Sequence, residues 1–375
     1  MASYIQRDFK SILNKRKFID HWFWDRYSIN PYNGCQFGCI YCDSRSQKYH
    51  LPTDFENQII VKNNIASMLD NRLAKARTLL PDIVGIAGTT DPYQPAEKIF
   101  KNTQACLAVL QKYNFPVHIV TKSTLVLRDL DLLQTIAQKT AAIISVTITS
   151  TDNKISKFLE KSAPGPGNRF AAIAEIKKKE TDIQCGVLMI PVIPGFTDSD
   201  ENLENMVKTA KESGADYIIF GGGMTLRDMQ ADWFLKHVKN SFPEKMELYE
   251  KLYNFKYDPG NYNGNYEAGY SYSKRINLRF LELCEKYKIA VRIKRFIPED
   301  YRKYNYIIAQ YLLDKSYINQ MMGKIWKNLF WAGHNIQNLK ESVLDFTKRN
   351  ELQKISNVNA LLEKDIIEYI GKIIR

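Results

Sequence analysis

Gly34-Cys35-Gln36-Phe37-Gly38-Cys39-Ile40-Tyr41-Cys42 puts three of the chain's six cysteines within eight residues. Three thiols so close in one loop can converge on a metal centre. Iron–sulfur clusters are held by cysteine thiolates, and a cluster with three protein ligands keeps one iron open to bind and activate a small molecule. Zinc is the competing reading, since Cys35, Cys39 and Cys42 with His50 would make a tetrahedral Cys3His set. The spacing favours iron–sulfur, because zinc modules favour short Cys-x2-Cys pairs that come twice, and no second pair occurs here. Cys106, Cys185 and Cys284 stand alone in apolar patterns and are expected to be buried core residues.

Downstream of this loop the sequence alternates short apolar runs with amphipathic stretches. Strands are expected over 82–88, 116–121, 141–149, 183–190, 217–221 and 289–293. Helices are expected over 95–112, 129–138, 168–179 and 198–213. Strands of this length alternating with helices imply βα units and a parallel sheet. The loops after the strands hold Gly88-Thr89-Thr90-Asp91, Thr121-Lys122-Ser123, Thr147-Ile148-Thr149, Pro191 to Phe196 and Gly221-Gly222-Gly223. In parallel α/β folds ligands bind at the carboxyl ends of the strands, so these loops read as one polar mouth.

Composition bounds the rest. The chain has 375 residues, 45% of them apolar, which excludes a disordered or collagen-like protein. No run approaches the roughly 18 apolar residues of a membrane span. Residues 1–17 lack the apolar centre of a signal peptide. A cytoplasmic protein with reduced thiols is expected. The 53 Lys and Arg exceed the 41 Asp and Glu, a net charge of +12 that admits a nucleic-acid or other anionic partner.

The cysteine spacing with an aromatic Tyr41 before the last cysteine resembles the radical S-adenosylmethionine (SAM) enzymes. More narrowly, the chain resembles the spore photoproduct lyase-like, or DNA repair photolyase-related, branch. That likeness rests on Asn30-Pro31-Tyr32-Asn33-Gly34, Asp43-Ser44-Arg45-Ser46 and Thr90-Asp91-Pro92-Tyr93-Gln94-Pro95-x-Glu97. It also rests on Thr121-Lys122-Ser123, Arg128-Asp129-x-Asp131 and Pro191-x-Ile193-Pro194-Gly195-x-Thr197-Asp198. The resemblance implies an α/β fold: a partial (β/α)6 TIM-type barrel with parallel strands, followed by a C-terminal helical extension. It implies a [4Fe–4S] cluster on Cys35, Cys39 and Cys42 in the loop after the first strand. SAM would chelate the open iron and be cleaved by one electron to a 5′-deoxyadenosyl radical, which takes hydrogen from substrate. By the same resemblance Tyr41 would sit beside the adenine. Gly88, Thr89, Thr90 and Asp91 would meet the methionine amino group. Lys122 would face the carboxylate, and Thr147 or Thr149 the ribose. A flavodoxin- or ferredoxin-type electron donor is expected as partner.

The chain also departs from that branch. Spore photoproduct lyase uses a further cysteine near its substrate as hydrogen donor, and residues 83–91 contain none. The C-terminal third matches less well. Residues 249–272 hold eight aromatics between glycines, Tyr262 and Tyr266 among them. Residues 286–303 follow with seven cations, including Arg292, Lys294 and Arg295, against Glu299 and Asp300, a net +5. Tyrosines beside a basic stripe suggest nucleic-acid contacts. Residues 1–27 read as an N-terminal extension, 28–300 as the core and 301–375 as the helical segment. Two other functions stay open: a non-catalytic nucleic-acid-binding protein with a structural metal, and a radical SAM enzyme acting on a small molecule or peptide.

Overall fold

The computed structural model describes residues 2–374 apart from 53, 87 and 180. The chain divides into two compact units, one of Met1–Lys15 with Asp25–Ile293, the other of Arg16–Trp24 with Lys294–Arg375. The expected boundaries at 27/28 and 300/301 thus fall elsewhere. The first strand explains part of the difference, because it pairs in parallel with a strand of the larger unit.

The strands of the larger unit are β1 (Ser3–Arg7), β2 (Asn14–Lys15), β3 (Tyr27–Ile29), β4 (Tyr32–Asn33) and β5 (Gln58–Lys62). They continue with β6 (Val84–Ile86), β7 (Val117–Thr121), β8 (Ala142–Thr147), β9 (Gln184–Met189) and β10 (Ile218–Phe220). The main sheet has the order β10-β9-β8-β7-β6-β3-β2, and a side sheet has the order β1-β5-β4. From β3 to β10 each pairing in the main sheet is parallel, while β2 is antiparallel at the edge. Register aligns Ile29 with Ile86, Ile86 with Ile119, and Ile119 with Ile144. These isoleucines are fully buried, each contributing roughly 1.5–3 kcal/mol of burial. Their strands are apolar throughout because helices cover the sheet. The expected mixed α/β class with a parallel sheet is the class the chain adopts.

Crossover helices follow the expected pattern with two differences. The helix expected over 95–112 is two, Ala96–Phe100 and Asn102–Lys112, because Lys101 adopts the left-handed conformation at φ 52°. A non-glycine residue there ends helical propagation. The strand expected over 289–293 is reduced to one parallel bridge between Tyr217 and Ala290. The other helices are Ile65–Ala74, Leu130–Lys139, Asn153–Leu159, Pro166–Lys178, Asp200–Glu212 and, after β10, Asp228–Ser241, Met246–Tyr253 and Tyr270–Tyr287. Within the sheet Asp25, His118, Ser145 and Tyr217 form one buried hydrogen-bonded chain, with contacts of 3.3, 2.8 and 2.8 Å.

The second unit is helical: Arg302–Met321, Lys327–Ile336, Val343–Lys348 and Ala360–Ile373. Ile308, Leu312, Ala332, Ile336 and Ile366 make its core. Among the described residues no helix is long and apolar enough to cross a membrane.

Candidate functional site

The cysteine loop leaves β4 through Gly34, whose φ is +87°. A Cβ there would stand 2.6 Å from the Phe55 carbonyl and 2.7 Å from that of Gln58, so the position takes glycine alone. The Gly34 carbonyl accepts from the Thr90 hydroxyl (2.5 Å) and the Gln94 amide (3.0 Å). Gln94 in turn accepts from the Gln36 backbone at 3.0 Å, and Gln36 accepts from the Ala96 backbone at 2.7 Å. Two glutamines thereby clamp the loop to the segment after β6. Arg45 closes the other side. It donates to the carbonyls of Cys39 (3.2 Å) and Gly38 (3.3 Å), pairs with Glu56, and lies between the rings of Phe55 and Trp233. Phe37, Ile40 and Tyr41 pack with Leu159, Ile193, Leu226 and Phe234. The backbone is therefore held independently of anything the thiols bind.

Cys39 is buried, and Cys35 and Cys42 are half-buried. Burial, then Asp91 and the neighbouring thiols, pushes Cys35 far above the ordinary thiol range. Burial pushes Cys39 up to about 12, with the Lys122 ammonium pulling against it. Thiols this reluctant to ionise become thiolates when a metal replaces the proton. Among the described residues no group of three or more His, Cys, Asp or Glu side chains is drawn together as ligands of a single metal ion. Thiolates on three different irons of a cluster stand further apart than ligands that share one ion.

Lys122 follows β7, and its ammonium lies 5.7 Å from the centre of the Tyr41 ring. Burial disfavours its charge, but Cys39, Glu160 and Asp91 outweigh that and hold its pKa above the usual value. The Tyr41 hydroxyl donates to Glu160, and Gln230 donates to the Tyr41 carbonyl at 3.2 Å. Thr149 donates to the same Glu160 oxygen at 3.3 Å. Thr147 is buried, and its carbonyl accepts from Arg169 at 2.8 Å. Asp91 is engaged by the protein itself: it accepts from the Thr121 hydroxyl (2.7 Å), the Tyr93 backbone (2.9 Å) and the Lys122 backbone (2.7 Å). It braces the loop after β6 against the loop after β7, and burial raises its pKa despite these donors. Thr90 is spent on Gly34, and the Thr89 carbonyl accepts from Ser44 at 3.1 Å. Gly88 is exposed at φ +139°.

Two buried acceptors at this mouth, Asn30 Oδ1 and Asp43 Oδ1, have no hydrogen-bond partner among the described residues. The first faces Gly88, 3.5 Å from where a Cβ on that residue would stand. The second directly follows Cys42. Three thiols, a lysine ammonium and unspent acceptors together fit a thiolate-bound cluster and a zwitterionic ligand beside it.

The expected nucleic-acid contacts divide. Arg295 is 6% exposed, its guanidinium 4.8 Å from the Trp24 ring and 3.8 Å from that of Tyr306. Arg302 is buried beside Asp300, Lys286 pairs with Glu204 at 2.6 Å, and Lys303 pairs with Glu299 at 2.7 Å. Arg292 is half-buried and Lys294 exposed. The +5 run is thus not one free basic face. Of the tyrosines, Tyr249 and Tyr253 are buried and donate to the carbonyls of Pro194 and Met224. Tyr262 is half-buried and donates to Asn265 at 2.5 Å. Tyr266 and Tyr270 are 47% and 67% exposed. Arg227 lies 5.4 Å from the Tyr266 ring and 5.6 Å from that of Tyr49, and it pairs with Asp43. This aromatic segment packs on the glycine loop after β10, where Ala268, Tyr272 and Ser273 face Gly223. It therefore borders the mouth.

Several site residues escape a reading of the sequence. Gln94, Arg45 and Asp43 stand inside motifs quoted above and were read only as family markers. Glu160 and Arg169 carry no local signal, because Glu160 meets Tyr41 across 119 residues.

Residues 29–207 match the family described as Radical SAM superfamily. An uncharacterized protein of Mycobacterium tuberculosis (strain ATCC 25618 / H37Rv) is 31% identical over 270 residues, 71% of this chain and 75% of the relative. An uncharacterized protein of Methanocaldococcus jannaschii is 27% identical over 234 residues, 62% of this chain and 82% of the relative. Among solved structures, a spore photoproduct lyase variant superposes with TM-score 0.56 at 15% identity, over 76% of this chain and 79% of that one. Spore photoproduct lyase complexed with dinucleoside spore photoproduct gives 0.53 at 15% identity over the same shares. That likeness is one of fold. With its cysteine loop at the head of the matched segment, the chain belongs to the radical SAM superfamily, and it is a radical SAM enzyme.

Proposed function

We propose that this enzyme holds a [4Fe–4S] cluster on Cys35, Cys39 and Cys42, binds SAM across Tyr41 and Lys122, and acts on a nucleic-acid strand. The observation that carries the cofactor reading is the meeting of Lys122, Tyr41 and the three thiols in one partly buried mouth. When bound, the cluster and SAM supply a 5′-deoxyadenosyl radical that abstracts hydrogen. The chain's own residues do the rest. Lys122 pairs with the SAM carboxylate, Asn30 and Asp43 offer acceptors, and Phe37, Ile40 and Leu226 keep water from the inner wall. A flavodoxin- or ferredoxin-type protein supplies the electron.

Lys122→Ala tests the SAM contact. Losing a charge-assisted hydrogen bond should weaken SAM binding roughly 10- to 100-fold while iron content stays at the wild-type level. An unchanged affinity refutes the role. The substrate reading rests on exposed Tyr266 beside Arg227 at the mouth, with Tyr270 exposed four residues further on. Stacking contributes roughly 1–3 kcal/mol per base, so Tyr266→Ala with Tyr270→Ala should weaken binding of a single-stranded oligonucleotide about 10-fold or more. Wild-type affinity should fall steeply with salt. A flat salt response and an indifferent double variant would instead favour a small-molecule or peptide substrate.

A further inference from the structure

Glu160 is 1% exposed and ends the helix Asn153–Leu159. One of its oxygens accepts from the Tyr41 hydroxyl and from Thr149. The other meets the Arg169 guanidinium at 2.5 Å. Arg169 is also 1% exposed, and it donates to the carbonyls of Pro164 and Thr147, both at 2.8 Å. The neighbouring Leu159 carbonyl accepts from the Ile40 backbone at 3.0 Å. The corner at 159–160 therefore grips the cysteine loop twice, by backbone at Ile40 and by side chain at Tyr41.

A tyrosine that only packs needs no buried carboxylate at its hydroxyl. An ion pair with no solvent access is an expensive way to hold one ring, so what it fixes should matter to the site. What it fixes is the ring that faces the Lys122 ammonium and belongs to the residue just before Cys42 in the chain. The Glu160 carboxylate is also joined, through the Tyr41 hydroxyl, to the residue of the cysteine loop that adjoins Cys42.

We propose that Glu160, locked by Arg169, is a positioning residue for SAM: it fixes the Tyr41 ring against Lys122 and places a negative charge beside the cysteine loop. This rests on the SAM reading above. Glu160→Gln keeps the shape and removes the charge, and Tyr41→Phe removes only the hydroxyl link. The measurements are SAM affinity, followed by the change SAM causes in the reduced cluster's EPR spectrum, and the cluster's midpoint potential without SAM. Both variants should keep wild-type iron and bind SAM at least 10-fold more weakly. Only E160Q should move the potential, and upward, since a lost negative charge favours the reduced cluster. Should E160Q not fold, Y41F alone decides the positioning through SAM affinity. SAM affinity within 2-fold of wild type in a loaded variant overturns the proposal, and so does an unmoved potential in E160Q. If the wild-type cluster itself does not respond to SAM, the SAM reading has failed instead, and the two failures are distinguishable.

Discussion

Cys39→Ala should give a folded but colourless protein that cleaves no SAM. Cys39 is the most enclosed of the three thiols. Its backbone is nevertheless held by others: Arg45 takes its carbonyl, and Ile40 and Phe37 anchor the loop in the core beside it. Removing the sulfur thus deletes a ligand without releasing the loop, and the apoprotein should lose only about 1 kcal/mol of stability. A cluster left with two protein ligands is not retained. Iron and sulfide should fall to background after reconstitution, and 5′-deoxyadenosine formation should be undetectable. A C39A protein that keeps wild-type iron and activity would remove this residue from the site. Cys106→Ala is the contrasting control, since Cys106 is a fully buried core residue on the helix Asn102–Lys112.

Arg169→Leu should destabilise the apoprotein by about 3–5 kcal/mol, because it strands the buried Glu160 carboxylate without its counter-charge. Arg169 and Lys122 together outweigh burial and hold Glu160 below the usual carboxylate range. With Arg169 gone, the Thr147 carbonyl at the end of β8 and the Pro164 carbonyl ahead of the helix Pro166–Lys178 also lose a donor. Urea unfolding of the metal-free protein measures the loss. A second substitution, Glu160→Gln, should restore part of it by removing the stranded charge. A loss below about 1 kcal/mol in the single variant would match an exposed pair and contradict the burial described here. Lys303→Ala, which breaks such an exposed pair with Glu299, should change little.

The parallel sheet was legible because each strand is a short continuous apolar run between turn residues, and β7, β8 and β9 lie within a residue or two of expectation. The three-residue β3 escaped because Tyr27-Ser28-Ile29 is too short to carry a period. The break at Lys101 escaped because nothing local separates a helical lysine from a left-handed one. In the site, the cysteines and Lys122 were legible from spacing and position after a strand. Asp91 and Thr90 lie in the loop after β6, yet their side chains serve Thr121, Lys122 and Gly34. The basic run at 286–303 misled most. Charge counts treat every cation as solvated, whereas an arginine can stack its flat face on aromatics, as Arg295 does on Tyr306 and Trp24. Glu160 and Arg169 lay beyond reach for a related reason: a buried ion pair depends on partners distant in sequence.

The central claim is that these three cysteines hold a cluster that cleaves SAM. Anaerobic reconstitution of the wild-type chain with iron and sulfide, followed by metal analysis and reduction in the presence of SAM, tests it most directly. About four iron and four sulfide per chain, with reduction-dependent release of methionine and 5′-deoxyadenosine, is the predicted result. Stoichiometric zinc with no cluster, or a cluster that leaves SAM intact on reduction, would contradict it.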